Sequence, residues 1–435
     1  MKRILSVVVA AILTLTMALS GCGGQAQKTG DDYSRVDFVG VTWIRDTTCD
    51  ETLRFLSDGG FRYSCACGSP VDDADVVEYF SYDKDTATIT LHYPEEMNGG
   101  ITTIGLVSCD GDKLELDFEG EIRVFYREGV SAPYSVDFAK VSPMILEIAD
   151  RTVVDAAKTV IQSFLRYETE TVIETSGNTE RFMNDMAYVI HCTCPLFGAF
   201  TDFNEMTAYN TETGKVSWQF VLSQEEFSVK LQEFYSLMDT YLSQVESSDS
   251  EAMRAMVLYY AVIDDLSYNY DLLGENFELL SKEEANLKSS PYYVLVEKNG
   301  ICTNIAQAYM FLCTQADIAC GTVLHTGGSG MHMWNTVRID GRHYYCDPTW
   351  DANSSLKHFG ITVSDRAGWA GGYAAEEGTM LSVIIPTTYD VTDTRFEVLR
   401  DTLPVEISQL QMDRATQTIT FVGYEYEYTF ACAAQ

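Results

Sequence analysis

The sequence predicts an α+β chain in which strands and helices are segregated along the length. Three observations predict it. Short β-like runs broken by Gly and Asp turns fill 37–127. Helical periodicities dominate from about 145 to 315. An Asp-Gly hairpin and further strand-like runs follow. Strands grouped apart from helices are the pattern of an α+β architecture.

At 435 residues, 46% hydrophobic and 12% aromatic, the chain has material for two or three cored domains. A net charge of −35 disfavours nucleic acid and anionic membrane surfaces as partners, and suits a soluble exported surface.

The first 21 residues form a targeting segment. Lys2-Arg3 is its basic start and Ile4–Ala18 its apolar core, followed by Leu19-Ser20-Gly21-Cys22. This ending resembles a bacterial lipoprotein signal. The resemblance implies cleavage before Cys22, a diacylglycerol on its thiol, and a mature chain lipid-anchored at the outward face of a bacterial cell membrane. A plain secretory signal is the alternative. No other stretch reaches the ~20 apolar residues of a membrane span. Residues 22–34 are polar and Gly-rich, a short tether.

From 35 to 130 we expect a small all-β domain, an antiparallel barrel or sandwich. Its candidate strands are Val39–Ile44, Thr52–Leu56, Phe61–Cys65, Ala87–Tyr93, Thr103–Val107, Leu114–Phe118 and Ile122–Tyr126. Gly40–Trp43 loosely resembles the Gly-x-Trp start of lipocalin-like small barrels, with one residue more. This segment holds no catalytic cluster, so a binding or spacer role is expected. Pro133 and Pro143 edge a linker.

Helical patterns follow at Ile145–Glu170, Ser223–Ser247 and Asp249–Leu266, while Thr171–Lys215 mixes apolar runs with Thr, Asn and Gly and resists assignment. His191 reads as a structural histidine, and Asp264-Asp265 as a solvated helix end rather than paired acids. From 376 to 435, runs at Met380–Ile385, Val405–Met412, Thr418–Phe421 and Tyr424–Phe430 predict a small β appendage.

Chemistry concentrates between Lys298 and Asp351. Cys302 follows the Asn299-Gly300 turn signal. Ile305, Ala308, Tyr309, Phe311 and Leu312 then recur at helical spacing, which puts Cys302 at a helix N-terminus. Exposed amides and the positive dipole end favour a thiolate there, the form that attacks carbonyl carbon.

Asp340-Gly341 separates Met333–Ile339 from Arg342–Cys346 as a two-residue hairpin turn. Pairing Ile339 with Arg342 carries the register on to Trp334 opposite Asp347. His332 then falls diagonal to Asp347 on one sheet face, within reach of it. The same register puts His343 opposite Arg338, roughly 20 Å along the strand from His332. Cys346 falls opposite Asn335 on the other face, which argues against a zinc site of Cys302, His332 and Cys346. His358 and His325 are outside candidates, the first for catalysis and the second for shaping a cleft.

Gly300-Ile301-Cys302 with Ala306 in its helix, His332-Met333-Trp334-Asn335-Thr336-Val337, and Asp347-Pro348-Thr349-Trp350-Asp351 occur in that order. They resemble the transglutaminase-like superfamily of papain-type cysteine enzymes. The resemblance implies a transglutaminase-like (papain-like) domain, with an N-terminal helical extension, over 145–375. It implies catalytic Cys302, His332 and Asp347. Tyr268-Asn269-Tyr270-Asp271 resembles the short Tyr-Asp segment ahead of the cysteine in relatives. Asn304 departs from the glycine or other small residue common two places after the cysteine, and Met333 from the commoner alanine. Trp334 and Trp350 are candidates to line the cleft or to pack.

The expected activity is attack on an amide or peptide carbonyl through a thioester, released to water or to an amine. No cofactor or metal is called for. The expected substrate is protein or peptide, with cell-wall peptides or surface proteins suggested by location. A catalytically idle scaffold that binds ligands at the surface is the alternative. Ten of the 12 cysteines remain once Cys22 and Cys302 are set aside (12 − 2). Cys65-Ala66-Cys67 and Cys192-Thr193-Cys194 are close pairs able to bridge elsewhere, stay reduced, or bind metal beside His191.

Overall fold

The computed structural model describes residues 36–45, 51–57, 59–64, 78–92, 101–109, 113–118, 120–127, 134–202, 209–274, 279–327, 330–352, 355–365, 390–403, 407–424 and 426–433. The leader and tether with Cys22, the Cys65 and Cys67 pair, Trp369–Tyr373 and the Met380–Ile385 run lie outside the described residues. The chain divides into two compact units, Met1–Ala132 and Pro133–Gln435.

The first unit is a closed barrel, which decides between the barrel and the sandwich that the sequence allowed. Its strands are β1 (Thr42–Arg45), β2 (Glu51–Phe55), β3 (Gly60–Ser64), β4 (Glu78–Asp83), β5 (Thr88–His92), β6 (Ile101–Cys109), β7 (Lys113–Phe118) and β8 (Glu121–Arg127). Each pairs with the next, and β1 returns to β8, so no sheet edge is left open.

Alternation drives the closure: Ile89 and Leu91 of β5, and Leu114 and Leu116 of β7, point inward. They meet Trp43, Phe55, Phe61, Phe80 and Phe125 in one apolar interior. An eight-stranded barrel is just wide enough for side chains to fill it. The sequence reading missed β4 because Tyr82-Asp83 looks like a turn. The sheet runs on through Asp83, whose carboxylate then accepts the Asp85 N–H at 2.9 Å and closes the turn beyond it.

The second unit opens with α1 (Pro143–Ile148) and α2 (Arg151–Leu165). The Asp150 carboxylate caps α2 through the Thr152 N–H. The unassigned stretch contains α3 (Thr179–Thr193), capped by Asn178, and α4 (Pro195–Phe200), with Pro195 in its first turn. The β-branched end of α3 prefers extended backbone locally. Packing of its buried Phe182, Met186, Val189 and Ile190 faces against α2 and the central helix overrides that preference.

Five short strands, β9 (Glu170–Val172), β10 (Thr201–Asp202), β11 (Tyr209–Asn210), β12 (Lys215–Ser217) and β13 (Gln219–Phe220), form two small ladders beside these helices. Then come α5 (Gln224–Leu242), opened by a Ser223–Glu226 capping box, and α6 (Glu251–Ile263), capped by Ser250. Two short helices lead to Cys302, α7 (Lys282–Lys288) and α8 (Pro291–Glu297), with Pro291 opening the second.

On either side of them in the chain, β14 (Ser267–Tyr268) pairs in parallel with β15 (Asn299–Gly300). The central helix α9 (Cys302–Gln315) is buried along nearly its whole length. It packs against α3, α6, α8 and the four-stranded sheet of β16 (Ala319–Gly327), β17 (Gly330–Ile339), β18 (Arg342–Cys346) and β19 (Phe359–Ile361).

The hairpin register is the one read from sequence: Ile339 faces Arg342, Arg338 faces His343, and Asn335 faces Cys346. Asp340 and Gly341 take φ of 50° and 76°, the left-handed pair of a type I′ turn. One correction applies. The ladder stops at Cys346, so Trp334 does not pair with Asp347. The Asp347 N–H turns instead to the His358 carbonyl at 3.0 Å, and Pro348 has no N–H to extend the ladder.

After α10 (Glu397–Thr402), a sheet of β20 (Gln409–Asp413), β21 (Thr418–Gly423) and β22 (Tyr426–Ala431) ends the chain. Tyr424 is in the turn between the last two strands, not within one as its alternation with glutamate suggested. Arg414 ties this sheet to Asp249 at 3.0 Å. Among the described residues, no helix is long and apolar enough to cross a membrane.

Candidate active site

Three segments deliver the site. Gly300 ends β15 against α8, where an added Cβ would lie 2.6 Å from Val294 Cγ2 and 2.8 Å from Asn304 Oδ1. Only glycine fits that approach. The Asn304 side chain accepts the Ile301 N–H at 2.7 Å and donates to the carbonyls of Lys288 (2.9 Å) and Ser290 (3.3 Å). The departure from a small residue noted in the sequence therefore has a function in the fold. Wholly buried, Asn304 joins the first turn of α9 to the segment linking α7 and α8.

Cys302 is the first residue of α9 and only 7% exposed. Burial pushes its thiol up. Hydrogen bonds from the His332 ring, the Met333 N–H and the Thr303 N–H, with the charge of His332, outweigh that and hold it below the ordinary range. Five other buried thiols move the opposite way. Burial pushes Cys192, Cys194 and Cys432 up to about 12 and raises Cys320 and Cys346 as well. Cys192 and Cys194 are unbridged buried thiols.

His332 lies on β17, and its Nε2 donates to Asp347 Oδ2 at 2.7 Å. With Nε2 engaged, Nδ1 is the ring atom left for Cys302. Asp347 is wholly buried and also accepts the Trp350 N–H at 3.3 Å through Oδ1. The structure thus brings Cys302, His332 and Asp347 together in sequence.

The two tryptophans divide. Trp350, 38% exposed, stacks on the His332 ring at 5.5 Å and 23°. Trp334 is fully buried among Val323, Tyr345, Ile361 and Val391, and meets the same imidazole at 5.9 Å from within the core. His343 and Cys346 sit at the register positions that keep them out of this site. Asp264 and Asp265 are exposed at the end of α6. His191, in the last turn of α3, lies beside Gly198 of α4.

Sequence reasoning assigned no chemistry to Tyr268. Its phenol hydrogen-bonds with both the side chain and the backbone N–H of Cys302. Burial first, and then the negative charge of Cys302, push it up to about 12, so it remains a donor at neutral pH. The Tyr-Asn-Tyr-Asp segment was the available signal. It could not be placed because its β14–β15 partner lies across α7 and α8 in sequence.

The second group sequence reasoning undervalued is around Asp351. This wholly buried carboxylate accepts from Tyr259 Oη (2.7 Å), the His358 N–H (2.8 Å), His358 Nδ1 (2.9 Å) and the Ser355 hydroxyl. Among the described residues, no group of three His, Cys, Asp or Glu side chains is disposed to hold a metal ion.

A thiol at a helix N-terminus facing an imidazole held by a carboxylate on the adjoining sheet is the arrangement of papain-like cysteine enzymes. Residues 239–348 match the family model of the transglutaminase-like superfamily, and the second unit carries a transglutaminase-like domain. The match contains Cys302, His332 and Asp347 and ends at Pro348. No curated protein matches the chain.

Proposed function

We propose that this protein is a cysteine enzyme acting on amide or peptide carbonyls through a thioester, with Cys302 as nucleophile, His332 as base and acid, and Asp347 as the group that orients the imidazole. One observation carries the reading. Among buried thiols pushed upward, the one beside an Asp347-held His332 is pulled down.

In the proposed sequence, Cys302 Sγ attacks the carbonyl carbon and the carbonyl oxygen becomes an oxyanion. The Cys302 N–H and the Tyr268 phenol, hydrogen-bonded to each other in the free site, turn to it as its donors. His332 gives the proton from Nδ1 to the departing amine, leaving an acyl thioester on Cys302. His332 then takes a proton from water, giving an acid, or from a primary amine, giving a new amide. The acyl donor is a protein or peptide, with cell-wall peptides or surface proteins as the expected class. The leader and Cys22 support a lipid-anchored, outward-facing location.

The test is to incubate the chain with a glutamine-containing peptide, with and without a primary amine, and weigh the products. A loss of ammonia marks deamidation, and the mass of the added amine marks transamidation. No product, together with a Cys302 that iodoacetamide labels no faster than an ordinary thiol, returns the domain to an idle binding scaffold. For location, fatty-acid labelling that disappears in Cys22→Ser supports the anchor, and labelling that persists overturns it.

A further inference from the structure

We infer that His358 and Asp351 form a second histidine–carboxylate pair that positions the site, through the backbone of Asp347 and the ring of Trp350. The inference rests on the enzyme reading above. His358 touches both groups that hold His332. Its carbonyl accepts the Asp347 N–H at 3.0 Å, and its ring meets the Trp350 indole edge-on at 5.2 Å and 83°. Trp350 in turn lies face to face with the His332 imidazole.

The turn between them is closed on itself. The N–H groups of Trp350 and Asp351 donate to the Asp347 carbonyl at 3.2 and 3.3 Å. Both carboxylates of the Asp-Pro-Thr-Trp-Asp stretch thus have fixed directions, Asp347 toward His332 and Asp351 toward His358.

The imidazole of His358 is not needed to fill the core, since 30% of its side chain is exposed. Nor does a simple need for donors explain it. Tyr259 and Ser355 already donate to the buried carboxylate, and the His358 N–H is one that any residue except proline supplies. What the side chain adds is the Nδ1 bond. That bond anchors the far end of the turn, where the Asp347 N–H finds its acceptor. Small displacements at such a support are costly: about 1 Å of misplacement costs about a hundredfold in rate.

Removal of the ring can be isolated, because His358→Ala leaves both backbone bonds possible. The readout is the rate of iodoacetamide labelling of the Cys302 peptide, followed by mass across pH in the full chain, with Tm measured beside it. We expect His358→Ala to slow labelling at neutral pH about tenfold and to move the thiolate limb upward. His358→Asn, whose amide reproduces the Nδ1 donor, recovers the rate. His358→Phe, which keeps a ring against Trp350 but no donor, does not. Wild-type labelling kinetics in His358→Ala or His358→Phe overturn the inference, as does a fall in Tm with an unchanged pH profile. If wild-type Cys302 labels like an ordinary thiol, the enzyme reading fails first and takes this inference with it.

Discussion

Tyr268 lies beside Gly300 in a two-residue parallel ladder, and that pairing delivers its phenol to Cys302. The nucleophile's loop and its partner are thus joined by two backbone contacts, Ser267 N–H to Lys298 carbonyl at 2.9 Å and Asn269 N–H to Gly300 carbonyl at 2.7 Å, that depend on no side chain. Tyr268→Phe keeps the ring, its packing and the ladder, and removes one oxygen. Loss of an oxyanion donor costs about a hundredfold in kcat. We expect a fall of that order on the glutamine peptide, with KM and Tm close to wild type. An unchanged kcat would remove Tyr268 from the chemistry.

The pH dependence of Cys302 follows from the direction of its shift. A thiol held below its ordinary value of about 8.5 carries more thiolate at neutral pH than a free thiol does. Its reactivity is therefore present above the lowered pKa and is lost as pH falls through it. His332→Ala removes two of the influences that lower it and leaves burial, which raises it. The limb should then move upward, with only the Met333 and Thr303 N–H bonds left to oppose burial, and labelling at pH 7 should fall about tenfold. A limb that stays in place in His332→Ala would sever the thiol from the imidazole.

Asn304 sets the height of the whole first turn. Asn304→Ala would leave the Ile301 N–H and two carbonyls without their partner in a buried place. Each buried group left unsatisfied costs about 1–3 kcal/mol. We expect a clear loss of Tm together with slower Cys302 labelling, because the same bonds that stabilise the loop aim the sulfur. Gly300→Ala pushes a methyl into Val294 and Asn304 and should give the same double loss. A lower Tm with wild-type labelling would show the loop to be dispensable for reactivity.

Local signals carried this site far. The Asp340-Gly341 turn fixed the register, and a one-residue slip would have sent His332 to the opposite face. Cys302 was placed at a helix start by the Gly300 before it and the apolar spacing after it. What sequence could not reach was contact across chain distance: Tyr268 with Cys302, and Tyr259 of α6 with Asp351. The barrel shows the same division. Its alternating strands were legible, while closure of β1 onto β8, and β4 ending at an aspartate that reads as a turn, depended on the assembled sheet.

The two tryptophans against His332 should separate stability from chemistry. Trp334 is buried among four other side chains of a small core, and truncating such a residue costs about 3–5 kcal/mol. Trp334→Ala should therefore lower Tm sharply, whatever it does to rate. Trp350 is 38% exposed, and little core is lost with it. Its plane covers the imidazole whose Nε2 donates to Asp347, so its removal opens that hydrogen bond to competing water. Trp350→Ala should leave Tm nearly unchanged, slow Cys302 labelling several-fold and make the rate more sensitive to salt, since an ion pair opened to solvent is screened. Trp350→Phe, which restores a flat cover, should recover most of the rate. Equal labelling by wild type and Trp350→Ala would mean that the indole only caps the turn, and that the His332–Asp347 bond is protected by Trp334 alone.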